Sequence, residues 1–435
     1  MDMEKERRNG CFSEEEVDLL KLQFTDLFGQ LKMVEMTGGQ AEKAIKEGYA
    51  INRYALGGLR CEGAAPDSET LKDRAGNMEL YLKPDMTTYQ ILPWDSGQEN
   101  VAGVICDVMD PDGNPSWADT RGLLKETVSR LEKLGLQIYF DFQCEFYLFH
   151  SDDEGRPTTI THEVAGYYDA GPIDLAESVR RDIMLSLAEA GMEAESSHHG
   201  LTPGQHGFLI PARCGTEAAD YLQTFKTAVK RIAKRHGLHA TFLPKPDRDS
   251  DGSGLHVGIT LRDKEGRTAR EAAGYFRAGI LKHLWDMMIF TNPLINSYKR
   301  LAAGKRGIFQ PEFPAAAWED GTDKVVRFSE DKEGNCRITA LYPDPAANPY
   351  LALAAITAAG IDGIVQKLQT EARDGKTEFP ETLGVVLREL DNNTFAKSSF
   401  GEKLCRMYKD GKQEEWDRFC SHVTDWEMKE YLYRC

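Results

Sequence analysis

The strongest constraint on how this chain folds is a change of texture near residue 110. Before it, the apolar runs are short and strand-like: Lys21–Phe24, Gln30–Glu35, Leu80–Leu82, Gln90–Leu92 and Gly103–Cys106. Turn signals such as Lys83-Pro84-Asp85 and Pro111-Asp112-Gly113 separate them. After it, apolar residues recur at helical spacing. Asp119 is placed to cap a helix running to Lys133, with Leu124, Val128 and Leu131 on one face and Gly135 as the stop. Asp174 and Glu177 make a capping-box-like start for Val179, Ile183 and Leu187, ahead of Gly191. Leu222, Phe225, Val229 and Ile232 mark a third helix closed by Gly237, and a last helical region spans Asn348 to Thr370. Strand-like segments lie between them at Ile138–Phe149, His239–Leu243 and Leu255–Leu261.

Strands and helices without strict alternation predict an α+β chain. The boundary predicts a small, mostly β domain over residues 15–107 and a larger one over 108–435. The polar stretches 1–14, 57–77 and 374–380 read as surface segments. With 435 residues the core is large enough to need no disulfide staples. The nine cysteines are odd in number and none forms a Cys-x-x-Cys pair, which argues against a zinc ribbon or disulfide framework and for a reducing, cytoplasmic setting. The N-terminus is charged and lacks an apolar run. A formal net charge of −17 disfavours nucleic acid and anionic membranes as partners.

Seven segments, in order, carry a resemblance. They are Leu22-Gln-Phe-Thr-Asp-Leu-Phe-Gly29, Pro203-Gly-Gln-His206, Gln223-Thr-Phe-Lys226, His236 to Pro246, Gly252-Ser-Gly-Leu-His256, Asn292 to Leu301, and Asp344-Pro-Ala-Ala-Asn-Pro-Tyr350. Together they resemble the type I glutamine synthetase family, from about residue 19 to the C-terminus. The resemblance implies a β-grasp N-terminal domain and a C-terminal domain with a curved antiparallel sheet and flanking helices. It also implies homo-oligomeric rings, a hexamer or dodecamer, with each active site completed by a neighbour's N-terminal domain. The aromatic tail Trp426–Tyr433 reads as packing between subunits.

The family's reaction phosphorylates glutamate with ATP and then lets ammonia displace the phosphate. Two Mg²⁺ or Mn²⁺ ions and several arginines neutralise the gathered charge, and such hard ions need carboxylate ligands. Six ligand side chains are implied. Here the Glu-x-Glu strand motif reads Gln143-Cys144-Glu145, and the two later glutamates are Gly200 and Gly207. The histidine is kept as His256, and Arg-x-Glu-x-Arg reads Arg337-Ile-Thr339-Ala-Leu341. Glu145 and His256 survive as remnants, and an acid–histidine pair without metal is an equal reading of them. The base-bearing loop is replaced by Ile51-Asn52-Arg53-Tyr54, where Asn52 cannot act as a base. The flap acid would fall near Lys305 or Arg306, and Arg327 is a candidate for a replaced arginine. On the amino-acid side, Gly252, Ser253 and Gly254, Arg300 and His206 are expected to hold glutamate or glutamine. His198, His199, His206 and His256 are better read as inherited scaffold than as a zinc site.

Three functions follow as expectations. The first is a catalytically silent homologue in nitrogen metabolism that binds glutamate or glutamine or regulates a partner such as an active synthetase. The second is an ATP-dependent carboxylate–amine ligase using Mg²⁺ or Mn²⁺ through rearranged ligands. The third is a structural subunit of a synthetase ring.

Overall fold

The computed structural model describes residues 17–57, 79–302, 325–369 and 379–435. The expected flap position at 305–306, most of the 57–77 and 374–380 segments and the polar start lie outside these.

The short apolar runs of the first hundred residues become six strands: β1 (Leu19–Thr25), β2 (Leu31–Thr37), β3 (Tyr49–Asn52), β4 (Glu79–Pro84), β5 (Gln90–Ile91) and β6 (Val101–Met109). Their sheet order is β2-β1-β6-β4-β3, with β5 on β6. The β1–β6 pair is parallel and the others are antiparallel. A helix at Gly38–Glu47, not anticipated from the sequence, lies on this sheet through Ala41 and Ala44. Leu20, Leu22, Phe24, Leu80, Leu82 and Val104 form the small domain's core.

The larger sheet contains β7 (Leu136–Ser151), β8 (Pro157–Thr161), β9 (Ser196–His199), β10 (Gln205–Cys214), β11 (Leu238–Thr241), β12 (Leu255–Asp263), β13 (Val326–Glu330) and β14 (Cys336–Ala340). All pairings are antiparallel, in the order β13-β14-β12-β7-β10-β9, with β8 and β11 on β7. The sheet curls, and helices cover its apolar face. The three helices anticipated from periodicity are present at Thr120–Lys133, Glu177–Glu189 and Gly215–Arg235. Asp119 caps the first by accepting from Arg121 N at 3.1 Å. The capping box expected at the second does not form. Asp174 is instead bound to Arg180, and Glu163 accepts from the amide of the N-cap residue, Ala176 N.

The Pro349–Gln366 helix runs through the core. By length and composition it could cross a membrane, but 78% of that window is buried inside the protein. It crosses the Arg270–Lys282 helix so closely that a Cβ on Gly279 would lie 2.1 Å from Ala359 O, and one on Gly363 2.1 Å from Tyr275 O. Only glycine permits that crossing.

Two joints fix the small domain to the large one. In the first, Arg121, 5% exposed, donates to both carboxylate oxygens of Asp220 and to Asp107 and Asp85, and Lys125 shares the last two. Tyr350 donates to Asp220 at 2.7 Å. In the second, Asn348 caps the Pro349–Gln366 helix through Tyr350 N while its amide donates to Asp26 O and Leu27 O in the β1–β2 turn. Replacing Arg121 by Leu should cost about 3–5 kcal/mol, because buried Asp220 loses its cation and Asp85 and Asp107 are left with Lys125 alone. Urea unfolding of the Arg121→Leu protein checks this, and a loss below about 1 kcal/mol would show the hub to be dispensable.

Candidate functional site

The exposed face of the large sheet is where the implied ligand positions meet. Along β7 the period of two sends Phe140, Phe142 and Cys144 into the core and Asp141, Gln143 and Glu145 to the open face. Register then places His256 opposite Gln143, Gly207 opposite Glu145 and His198 opposite Gly207. On the other flank Gly258 lies between Asp141 and Thr339, and Arg327 stands opposite Thr339. The expected positions therefore form one continuous patch.

Its side chains bind one another. Gly254 N donates to Glu145 Oε2 at 2.8 Å, and the Gln143 amide approaches Glu145 Oε1 at 3.5 Å. His256 Nδ1 lies 3.3 Å from Gln143 Oε1, so the glutamine links the surviving acid to the surviving histidine. Arg337 is forked onto Asp141, with Nε 3.0 Å from Oδ2, and its Nη1 donates to Thr339 Oγ1 at 3.1 Å. A bidentate pair of this kind neutralises the charge of both partners.

The vacated glutamate positions are occupied volume. A Cβ on Gly207 would lie 2.7 Å from Cε1 and Nε2 of His198, and one on Gly200 would lie 2.6 Å from Cγ and Oε1 of Gln205. His198 is held there by Tyr168, whose ring stacks on it at 5.0 Å and whose backbone is left-handed, φ 59°. Gln205 accepts from Leu201 N at 2.9 Å and donates to Gly252 O at 3.0 Å. Two hard cations want several carboxylate oxygens at ~2.0–2.6 Å. This patch offers two carboxylates, Glu145 already accepting from Gly254 N and Asp141 already paired with Arg337, so the residues present do not fit a two-ion centre.

Several expected site residues serve the scaffold. Arg300 is 2% exposed, and its guanidinium donates to Tyr342 O and, at 2.9 Å, to Pro343 O. Its stem packs under Gly252, where a Cβ would lie 2.6 Å from Arg300 Cγ. Arg300 thus holds the Gly252–Gly254 loop down and is not presented to a substrate carboxylate. The loop is also committed: Ser253 N donates to Pro244 O and Gly254 N to Glu145. Asn52 caps a short 3-10 turn through Tyr54 N at 2.9 Å. Leu341 packs against the core.

His206 needs the clearest correction. Being adjacent to Gly207, it points to the opposite face of the sheet, beside Phe146 and fully buried. There it belongs to a network with Glu163, His199, Arg180 and Asp174. His199 Nε2 lies 2.9 Å and His206 Nε2 3.3 Å from Glu163 Oε1, while Arg180 Nη1 donates to His206 Nδ1 at 3.1 Å. His199 Nδ1 faces Gly200 O at 2.9 Å. The three donor atoms of Glu163, His199 and His206 lie within 4.8 Å of one another. Because Arg180 occupies His206 Nδ1 as a donor, the ring proton sits on Nε2, which is the tautomer that cannot ligate a metal there. Burial alone would raise the Glu163 carboxyl, but the two histidine hydrogen bonds hold it well below its usual range. Burial opposes the charging of His199, yet Glu163 and the Gly200 carbonyl raise its pKa; burial dominates at His206 and lowers it.

Asp141 was within reach of the sequence, since it precedes Gln143 by one strand period. Glu163 carried no local signal, because only the β8-to-helix connection brings it under His199.

Comparison with known proteins agrees with this geometry. The family described as glutamine synthetase, catalytic domain, matches residues 117–431. A glutamine synthetase of Clostridium saccharobutylicum is 37% identical over 441 residues, covering 96% of each chain. The ligand-free structure of GmaS superposes with a TM-score of 0.80 at 24% identity, covering 97% of this chain and 98% of that one. Plasmodium falciparum glutamine synthetase gives 0.79 at 19% identity, over 99% and 98%.

Two outcomes follow. Gly207→Glu should destabilise by about 1–3 kcal/mol through overpacking against His198, and His198→Ala in the same chain should recover much of it. Equal melting temperatures for wild type and Gly207→Glu would refute the filled-volume account. For the buried network, the raised His199 stabilises the fold fully below its ordinary pKa of about 6.5 and loses that contribution as pH rises. The depressed Glu163 contributes above about pH 4.5. The stability gap between wild type and His199→Gln should therefore be largest between these limits and shrink towards pH 9, as read by urea titration.

Proposed function

Because the chain belongs to the glutamine synthetase family, its descent is the premise from which we propose that it is a synthetase-like protein no longer running the metal-dependent ligase reaction. It acts in nitrogen metabolism by binding and regulation. The observation that carries this reading is that Gly200 and Gly207 stand at two implied carboxylate positions whose volume His198 and Gln205 fill. Gln143 and Thr339 replace two more, and Asp141 neutralises Arg337 at the flank where phosphate charge would need an arginine.

The ligase reading keeps one specific support: Glu145 and His256 remain adjacent on the open face, joined through Gln143. A ligase acting through them would still have to polarise phosphate with a single carboxylate, which supplies too little charge to hold two divalent ions against their hydration.

Assembly into rings is part of the proposal. Trp426, Leu432 and Tyr433 expose 62%, 61% and 94% of their surface at the C-terminal end, a row of apolar side chains suited to burial against another copy. Static light scattering should find a hexamer or dodecamer, and a monomer at micromolar concentration would remove the ring.

The decisive experiment is thermal. Millimolar Mn²⁺ with ATP should leave the melting temperature nearly unchanged, and γ-glutamyl transfer should stay at background. A rise of several degrees at micromolar Mn²⁺, or glutamine formation by the unaltered protein, would hand the case to the ligase.

A further inference from the structure

Away from the sheet face, a cavity of about 1480 Å³ lies between the β1–β2 turn, the Gly215–Arg235 helix and the Glu402–Ser421 helix. Gln223, Lys226 and Lys230 line it from one face of the first helix, at i, i+3 and i+7. Asp26 lines it from the turn, and Phe242 and Leu243 give it an apolar wall.

Its polar groups are incompletely matched. Asp26 is fully buried; its Oδ1 accepts from Phe28 N and Gln30 N, while Oδ2 accepts no hydrogen bond and Lys32 Nζ stands 3.7 Å away. Gln223 is 4% exposed; its amide donates to Gly29 O at 3.3 Å, but its Oε1 has no donor. Two buried acceptors beside one cavity favour a ligand that brings N–H donors. Lys226 is a buried cation whose ammonium donates to Pro345 O at 3.0 Å and Ala347 O at 3.2 Å, leaving one of its three donors over. Burial, aided by Lys230, lowers its pKa to about 8. Lys230 stands over the Phe242 ring at 5.6 Å. Acceptors at one end, and ammonium groups one and two turns along the same helix, set a pole for donors and a pole for anions along one wall of the cavity.

We propose that this cavity is a second small-molecule site that takes an α-amino acid, its ammonium on Asp26 and Gln223 and its carboxylate on Lys226 and Lys230. The Phe242–Leu243 wall receives the amino acid's side chain. Occupancy ties the β1–β2 turn to the Gly215–Arg235 helix, so the ligand strengthens the joint between the two domains. The site goes beyond the reading of the sheet face and does not depend on whether catalysis survives there.

The test uses the full chain and all twenty amino acids, first by thermal shift and then by calorimetry, with glutarate as the probe lacking an amine. At least one amino acid should bind, and glutarate should bind at least tenfold more weakly. Gln223→Leu and Lys230→Glu should each weaken the binding at least tenfold, whereas Glu145→Ala on the sheet face should leave it unchanged. Lys230 is solvent-facing, so its variant keeps the test valid if Gln223→Leu fails to fold. Hydrogen exchange should slow within residues 23–33 and 223–231 on binding. No binding by any amino acid overturns the proposal, as does binding that both cavity variants leave intact or that Glu145→Ala removes. Equal binding of glutarate overturns the donor pole.

Discussion

The two-domain arrangement depends on how the small domain is held, and one cation does most of the holding. Arg121 lies where the small sheet, the Thr120–Lys133 helix and the Gly215–Arg235 helix meet, and it faces Asp85, Asp107 and Asp220. Burial would favour the neutral guanidine, yet the Asp220 hydrogen bonds and the surrounding acids keep it charged. The acids are likewise tolerable only because the cation is there; burial costs each ion several kcal/mol unless it is paired. The joint is therefore all-or-none. The second joint adds direction: Gly29 adopts φ 87° and comes so close to Asn348 that a Cβ would lie 2.9 Å from its Cα.

That geometry gives physical content to the segments that carry the resemblance. Residues 22–29 and 344–350 are far apart in sequence and share no chemistry, yet they meet at the Asn348 amide. Residues 223–226 lie between them, with Gln223 on Gly29 O and Lys226 on Pro345 O and Ala347 O. These segments are retained because each satisfies backbone groups of another. A chain can lose its metal chemistry and keep all of them, since none of these bonds involves the open face.

The same distinction decides what was legible in the sequence. Period-two and period-3.6 patterns located β7, β11, β12 and the three large-domain helices, because each buries one face. The Gly38–Glu47 helix escaped because its buried contacts are small, Ala41 and Ala44, and give little periodic signal. At the site, the substituted positions could be named one by one from the resemblance, but not the contacts that their side chains make. The turn of Tyr168 over His198 and the reach of Gln205 into the place of Gly200 are tertiary facts. Arg300 and His206 lie away from the open face for different reasons. Motif position names a residue but not its direction: Arg300 turns to carbonyls below the loop, and adjacency to Gly207 puts His206 through the sheet.

The replacements at the open face form a consistent set. A cluster of carboxylates without metal ions raises its own energy by mutual repulsion. Removing carboxylates one at a time, however, leaves voids and unpaired donors, each costly in its own way. Here both costs are met locally. Gln143 donates to Glu145 and accepts from His256, one amide taking up the hydrogen bonds of both remnants. His198 and Gln205 fill the space above the two glycines. Arg337, deprived of phosphate, is neutralised by Asp141. On this face Arg337 and Asp141 are paired, the space above the two glycines is filled, and Gly254 N donates to Glu145, while Ser253 Oγ of the same loop is buried without a hydrogen-bond partner. Away from the sheet face, Gln223 Oε1 is likewise a buried acceptor without a donor, and Asp26 Oδ2 has only the Lys32 ammonium at 3.7 Å.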